Sequence, residues 1–152
     1  MEAVAELHPF FVHFPIALFL FYALVESWSA FTKKEYFGNS ALILLLLVVV
    51  TSVLSALTGN QAEAIISEFA GNNAYIPNEL IEQHETFATL SIFYFILMLG
   101  LRFYFVAKKK FEGKIRYLFV VLALIGCVLI LITGKLGGDL VFKYGVGTPY
   151  IN

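Results

Sequence analysis

Residues 42–50 read Leu-Ile-Leu-Leu-Leu-Leu-Val-Val-Val, and they lie in a segment from about residue 39 to residue 58 that contains no charged side chain. A helix needs about 20 apolar residues to cross the hydrocarbon core of a bilayer. Apolar and polar residues do not alternate here as they do in a half-buried strand, and an open sheet cannot satisfy its backbone groups in lipid. The segment therefore predicts a membrane-spanning α-helix.

Three further apolar segments, at about residues 10–31, 83–106 and 115–133, are also long enough to span a bilayer. The 152-residue chain is 60% hydrophobic and 14% charged, whereas a soluble domain is about one-quarter charged. The composition therefore predicts an all-α polytopic membrane protein, with a single domain over residues 1–152. Its architecture would be a four-transmembrane-helix bundle made of two helical hairpins, joined by an outer loop over residues 59–82.

The same composition excludes several classes of function. A formal net charge of −1 creates no field that would attract a nucleic acid. A single cysteine excludes a disulfide framework and a thiolate metal cluster. The chain contains no Ser-His-Asp order, phosphate-binding loop or His-Glu-x-x-His pattern. No catalytic residue is predicted, and an electron carrier or an accessory subunit is favoured over an enzyme.

Eight of the ten cations lie in or beside two short connections: Lys33 and Lys34 at the first, and Arg102, Lys108, Lys109, Lys110, Lys114 and Arg116 at the second. Because Lys and Arg of short loops stay in the cytoplasm, both termini are expected to be periplasmic in a bacterial inner membrane. Lys135 and Lys143 do not fit this rule, because they lie at the end that is predicted to be periplasmic.

Because residues 1–7 contain no Lys or Arg, the first span is expected to remain uncleaved. Glu26, in the inner third of that span, would be an interfacial residue or part of a proton path.

All three histidines map to the predicted outer edge of the bundle. His8 and His13 are five residues apart, which is roughly 140° around a helix, so a regular helix would not present both to one ion. His13 and His84 begin different helices at a similar depth, which suits two axial ligands of a flat cofactor. The simpler alternative is that each imidazole binds a backbone carbonyl or lies at the membrane interface.

Small residues form a second cluster near the same edge. Three glycines fall on one i, i+4 row of the fourth helix, and a fourth glycine ends the second helix. Such residues either allow helices to approach closely or leave room for a planar ring. Thr58 and Thr133 would offer hydrogen bonds in both cases. The glycines are Gly126, Gly134 and Gly138 in the row, and Gly59.

The two predicted hairpins resemble each other weakly. Each has a histidine near its start, His13 or His84, and each ends its second helix with Thr-Gly, at residues 58–59 and 133–134. A symmetry axis relating them would run along the membrane normal. Alternatively, any two hairpins whose helices end in glycine would look alike. Residues 137–147 contain too many glycines for a simple helix. They would either fold over the outer end or form a terminal segment anchored at the interface by Phe142 and Tyr144.

Residues 8–18, His-Pro-Phe-Phe-Val-His-Phe-Pro-Ile-Ala-Leu, together with residues 57–59, 84–85, 133–141 and 144–147, resemble the signature of a bacterial membrane family, domain of unknown function 2231. The resemblance covers essentially the whole chain and implies a four-helix membrane protein. Some members are joined to c-type cytochrome or Rieske modules, which implies a respiratory redox context. Many members carry His where this chain has Tyr144, so any ligand role of that His would be absent here.

Three functions stay open at this point. The first is a b-type haem protein that exchanges electrons with a periplasmic cytochrome or other subunits of a respiratory complex. Its haem b would be held by His13 and His84 and lined by Thr58, Gly59, Thr133, Gly134 and Gly138. The second is a redox-inert site for a single Zn, Cu or Fe ion, held by His8, His13, His84 and a carboxylate such as Asp139 or Glu85. The third is a structural or accessory subunit with no cofactor.

Overall fold

A computed structural model describes residues 5–70 and 78–146 of the chain. Within these residues the protein is helical and contains no strand. Four helices are long and apolar enough to span a membrane, which confirms the predicted all-α membrane fold. The helices are α1 (His8–Phe11), α2 (His13–Thr32), α3 (Glu35–Ala70), α4 (Asn78–Ala107) and α5 (Lys114–Tyr144).

The helices extend further than the predicted spans. Much of the expected outer loop is helical, because α3 continues to Ala70 and α4 already begins at Asn78; residues 71–77 lie outside the described part. The expectation that residues 137–147 leave the helix is wrong for most of that segment, since α5 continues to Tyr144. Gly145 then ends α5 in the left-handed conformation, with φ of 67°. Glycine adopts this conformation without the steric cost that a Cβ atom brings.

Each hairpin turns at a lysine. Lys33 follows α2 with φ of 55°, and Lys109 lies just beyond α4 with φ of 53°. The Lys33 N–H donates to the Ser29 carbonyl and so satisfies one of the last carbonyls of α2. These two turns, with the neighbouring cations, mark one end of the bundle, which we call the basic end. The opposite end carries His8 and His84, and we call it the histidine end.

The four long helices form a ring. Helix α2 packs against α3 and α5, and α4 packs against the same two neighbours. Helices α2 and α4 are therefore diagonally opposite. The short α1 lies against α3 and the start of α2. Large apolar side chains cover the outside of the ring, as expected for a surface in contact with lipid; examples are Leu24, Phe31, Phe93 and Leu124.

The buried positions of the two hairpins match at a constant spacing. Buried residues of α2 have buried counterparts 76 residues later in α4, and Glu26 and Arg102 form one such pair. Helices α3 and α5 match in the same way at a slightly larger spacing, as Ala41 and Phe119 show. The two hairpins are thus related by a pseudo-two-fold axis parallel to the helices. The buried α2–α4 pairs are Pro15–Ser91, Phe19–Phe95, Tyr22–Met98 and Glu26–Arg102.

This repeat is more regular than the sequence indicated. The residues that correspond in the two hairpins also differ from those that were compared in the sequence. Counting 76 residues back from His84 leads to His8, not to His13. Along α3 and α5, Ser55 corresponds to Thr133 and Gly59 corresponds to Gly137. The Thr58-Gly59 and Thr133-Gly134 pairs compared in the sequence are therefore out of register.

Two of the matched pairs meet on the axis itself. The rings of Phe19 and Phe95 stack with their centroids 4.3 Å apart. Closer to the basic end, Arg102 donates from Nη1 to Glu26 Oε1 over 2.6 Å, and both side chains are fully buried. The expectation that Arg102 belongs to the cations of the second connection is therefore wrong. Its position within α4 places it inside the bundle, where a counter-ion is required.

Candidate functional site

His8 is held against α3 at the histidine end. Its Nδ1 lies 3.1 Å from the Ser55 carbonyl oxygen and 3.1 Å from Thr58 Oγ1. A carbonyl oxygen can only accept, so the proton of the His8 ring is on Nδ1. Thr58 Oγ1 in turn donates to the Ser55 carbonyl over 2.9 Å. Pro9 follows His8 in the first turn of α1, where proline is tolerated because that turn has no intrahelical use for its N–H.

His84 repeats this arrangement on the second hairpin. Its Nδ1 lies 3.1 Å from the Thr133 carbonyl oxygen of α5. The Thr133 hydroxyl donates to the Leu129 carbonyl over 3.0 Å and lies 3.3 Å from Ser91 Oγ. Both histidines are half-buried, and each interacts with the carbonyl of the residue that occupies the same place in its hairpin.

The opposite nitrogen of each ring is left as an acceptor. Because Nδ1 carries the proton, Nε2 has a free lone pair. In the described part of the chain, no hydrogen-bond partner reaches Nε2 of His8 or of His84. The site thus offers two neutral imidazoles, related by the pseudo-two-fold axis, in the tautomer that binds a metal through Nε2.

Glycines of the adjacent helices make room for both rings. A Cβ atom on Gly59 would lie 3.0 Å from Cε1 of His8, and one on Gly137 would lie 3.0 Å from Cε1 of His84. Each glycine stands one turn after the residue whose carbonyl accepts from the ring. Gly59 was singled out from the sequence, but Gly137 was missed. The matching spacing from Ser55 and from Thr133 is the signal that could have identified it.

His13 lies elsewhere than expected. Its side chain is exposed, and its Nδ1 is bonded to the Pro9 carbonyl of the preceding turn. The structure therefore does not place His13 opposite His84, and His8 occupies the equivalent position instead. The physical reason is the five-residue spacing. Val12 keeps right-handed helical angles, with φ of −64° and ψ of −23°, so His8 and His13 point roughly 140° apart and His13 faces outward when His8 faces α3. Depth in the membrane, from which His13 was chosen, says nothing about the face of the helix.

The other glycines that were predicted to leave room for a planar ring do not border one common space. A Cβ atom on Gly134 would meet Ile16 Cδ1 at 3.5 Å, an ordinary van der Waals distance, and one on Gly138 would meet nothing within 4 Å. A Cβ atom on Gly126 would overlap the ring of Phe19. Of the interpretations made from the sequence, close packing thus accounts for Gly126, and the imidazole of His8 occupies the space beside Gly59.

Asp139 is engaged in a surface ion pair. Its carboxylate lies 3.1 Å from Lys143 Nζ, one turn later on α5. Asp139 also lines a cavity of about 270 Å³ with Glu79, Gln83 and Tyr144. Over residues 5–70 and 78–146, no group of three or more His, Cys, Asp or Glu side chains is arranged to hold a metal ion. The expected set of His8, His13, His84 and Asp139 is therefore not assembled.

Comparison with known proteins identifies the family but not a characterised relative. No curated protein matches the chain. No solved structure matches it either. The family model described as "Predicted membrane protein (DUF2231)" matches residues 5–149, which is nearly the whole chain. The protein therefore belongs to the DUF2231 family of predicted membrane proteins.

Proposed function

We propose that the protein binds a b-type haem at its histidine end, through His8 and His84, and acts as a membrane electron carrier. The observation that carries this proposal is the hydrogen bonding of the two imidazole rings. Each donates its Nδ1 proton to a backbone carbonyl and keeps Nε2 free. Histidines that bind metals are commonly oriented in this way, because the second hydrogen bond fixes the tautomer and makes the ligand more basic.

The number of ligands favours haem over a bare ion. A protein site for Zn or Fe commonly uses three or four side chains, and the described residues bring together no such set. Haem supplies four nitrogens of its own and needs only one or two axial ligands from the protein. Two imidazoles at one end of a helical bundle fit this requirement.

The packing of the bundle limits where the porphyrin could lie. The stacked rings of Phe19 and Phe95 fill the axis 11 residues after each histidine, which is about 16 Å further along a helix. A haem would therefore lie at the histidine end, either at the level of the two imidazoles or further from the aromatic stack than they are. Phe10, Phe11 and Phe14 form an aromatic cluster at this end. When bound, the haem iron would supply one-electron transfer.

The proposed orientation places this site at the periplasmic face of a bacterial inner membrane. Its basis is the set of cations at the basic end, where Lys and Arg favour the cytoplasm even after Arg102 is removed from the count. The electron partner would then be a periplasmic cytochrome or another subunit of a respiratory complex.

An optical spectrum of the detergent-purified protein, oxidised and then reduced, tests the proposal directly. We expect low-spin b-type bands in the wild type and in His13→Ala, and their loss or conversion to high spin in His8→Ala and His84→Ala. His13→Ala is the matched control, because its imidazole is exposed on the same hairpin. A colourless protein with stoichiometric metal would favour the ion site. A protein with neither would favour a structural subunit, in which the two histidines tie α1 to α3 and α4 to α5.

A further inference from the structure

A second polar site lies inside the bundle, between the Phe19–Phe95 stack and the basic end. Glu26 and Arg102 form its centre, with 0% and 1% of their side chains exposed. Arg102 also donates from Nη2 to the Gly38 carbonyl over 3.0 Å. Its guanidinium lies over the ring of Phe111, 3.4 Å from the ring centre. These contacts leave part of the hydrogen-bonding capacity of the site unused.

Four buried polar atoms of this site have no hydrogen-bond partner among the described protein atoms: Tyr22 OH, Glu26 Oε2, Ser29 Oγ and Arg102 Nε. Tyr22, Glu26 and Ser29 are four and three residues apart on α2, so their buried side chains share one face of the helix. A Cβ atom on Gly38 would lie 3.4 Å from Ser29 Oγ and 3.7 Å from Arg102 Nη2. The four atoms thus belong to one site, and the missing side chain of Gly38 leaves space beside it.

Buried polar atoms are paired in nearly all proteins, and ordered water supplies the partner where protein does not. The need is greater within a membrane, because the surrounding lipid offers no hydrogen bonds. Ionised Glu26 and Arg102 raise the cost of an unpaired oxygen or N–H further. A site with four unpaired polar atoms around one ion pair is polar enough to bind ordered water.

The aqueous phase comes closest to this site at the basic end. A cavity of about 280 Å³ opens there between Ala30, Lys33, Glu112, Gly113, Arg116 and Tyr117. Arg116 lies between this cavity and the buried site, because it lines the cavity and its Nη1 donates to the Ser29 carbonyl oxygen over 3.4 Å. In the opposite direction, the Phe19–Phe95 stack closes the axis.

We propose that Tyr22, Glu26, Ser29 and Arg102 form a water-binding site that fills from the basic end and stops at the Phe19–Phe95 stack. The site is an internal inlet rather than a channel through the membrane. It is independent of the proposed haem, since it lies on the other side of the aromatic stack and uses none of the residues that contact the histidines.

Radiolytic hydroxyl labelling of the wild-type protein, read by tandem mass spectrometry, tests the presence of water. Radicals form at bound water, so Tyr22 should be modified rapidly although it is fully buried. Phe95, an equally buried aromatic residue in the stack that ends the site, serves as the dry control. We expect Tyr22 to be labelled at least several-fold faster than Phe95. Equal rates for the two residues would overturn the proposal.

Cysteine accessibility tests the direction from which the site fills. In a Cys127→Ala background, Ser29→Cys should react with methanethiosulfonate ethylammonium or Ag⁺ added at the basic end, and not at the histidine end. Ser91→Cys is the matched control, since Ser91 is buried but its hydroxyl is satisfied by the Phe87 carbonyl at 2.7 Å. Reaction of Ser29→Cys from the histidine end, or no faster than Ser91→Cys, would contradict the inlet. If Ser29→Cys fails to fold, the labelling of wild-type Tyr22 decides the question alone.

Discussion

The rings of Phe19 and Phe95 stack on the pseudo-two-fold axis, with 4.3 Å between their centroids and an angle of 25° between their planes. The two residues occupy equivalent positions in the two hairpins, so each ring meets its own counterpart. The stack divides the interior of the bundle. The histidines lie on one side of it, and the buried ion pair lies on the other.

The packing of Phe19 predicts a large difference between two glycines of α5. Gly126→Ala should destabilise the bundle, because the new Cβ would overlap the Phe19 ring; overpacking a tight contact costs about 1–3 kcal/mol. Gly138→Ala is the control on the same helix, where a Cβ atom would meet nothing within 4 Å. Both changes raise helix propensity by a similar amount, so thermal unfolding in detergent should isolate the packing cost. Equal melting temperatures would contradict the packing described here.

The glycines beside the imidazoles predict a different effect. Gly59→Ala and Gly137→Ala should displace the rings of His8 and His84, since each new Cβ would stand only 3.0 Å from Cε1. If haem is bound, these variants should fold but show reduced haem content or altered low-spin bands. Gly134→Ala provides the comparison, because its Cβ would meet Ile16 at an ordinary 3.5 Å. Spectra that are unchanged in the first two variants would remove these glycines from the site.

The buried ion pair predicts strong coupling between Glu26 and Arg102. Glu26→Gln alone should cost about 3–5 kcal/mol, because it leaves the Arg102 charge buried without a counter-ion. The double variant Glu26→Gln/Arg102→Leu should recover much of that loss, since no unpaired charge remains. Asp139→Asn, which breaks the solvent-exposed pair with Lys143, should cost less than about 1 kcal/mol. A double-mutant cycle from unfolding curves in detergent measures the coupling, and additive effects would argue against it.

The orientation of the helices can be measured by chemical labelling. In a Cys127→Ala background, Glu79→Cys should react with a membrane-impermeant maleimide added to intact cells, whereas Lys110→Cys should react only after the membrane is opened. Both side chains are exposed, one at the histidine end and the other at the basic end. The reversed pattern would place the histidine end in the cytoplasm and rule out a periplasmic partner.

The four helices follow from composition alone, because lipid leaves an apolar chain of this length almost no other structure. Their ends do not follow, since α3 keeps its helical hydrogen bonds beyond the length that a bilayer requires. The choice of His13 failed because depth in the membrane does not say which of two histidines, roughly 140° apart around a helix, points inward. Arg102 was wrongly grouped with the cations of the second connection because it lies close to Lys108 in the sequence. The counterpart of Arg102, Glu26, stands equally far from its own hairpin turn, and that equality was the available signal.

The Glu26–Arg102 pair also determines which hairpins can associate. Two copies of the first hairpin would place two carboxylates on the axis, and two copies of the second would place two guanidinium groups there. Only a mixed pair brings opposite charges together. The ion pair is therefore an element of partner selection, one that keeps each of two near-symmetric halves from pairing with a second copy of itself. If the chain were cut between α3 and α4, the two fragments should recognise each other and reject their own copies.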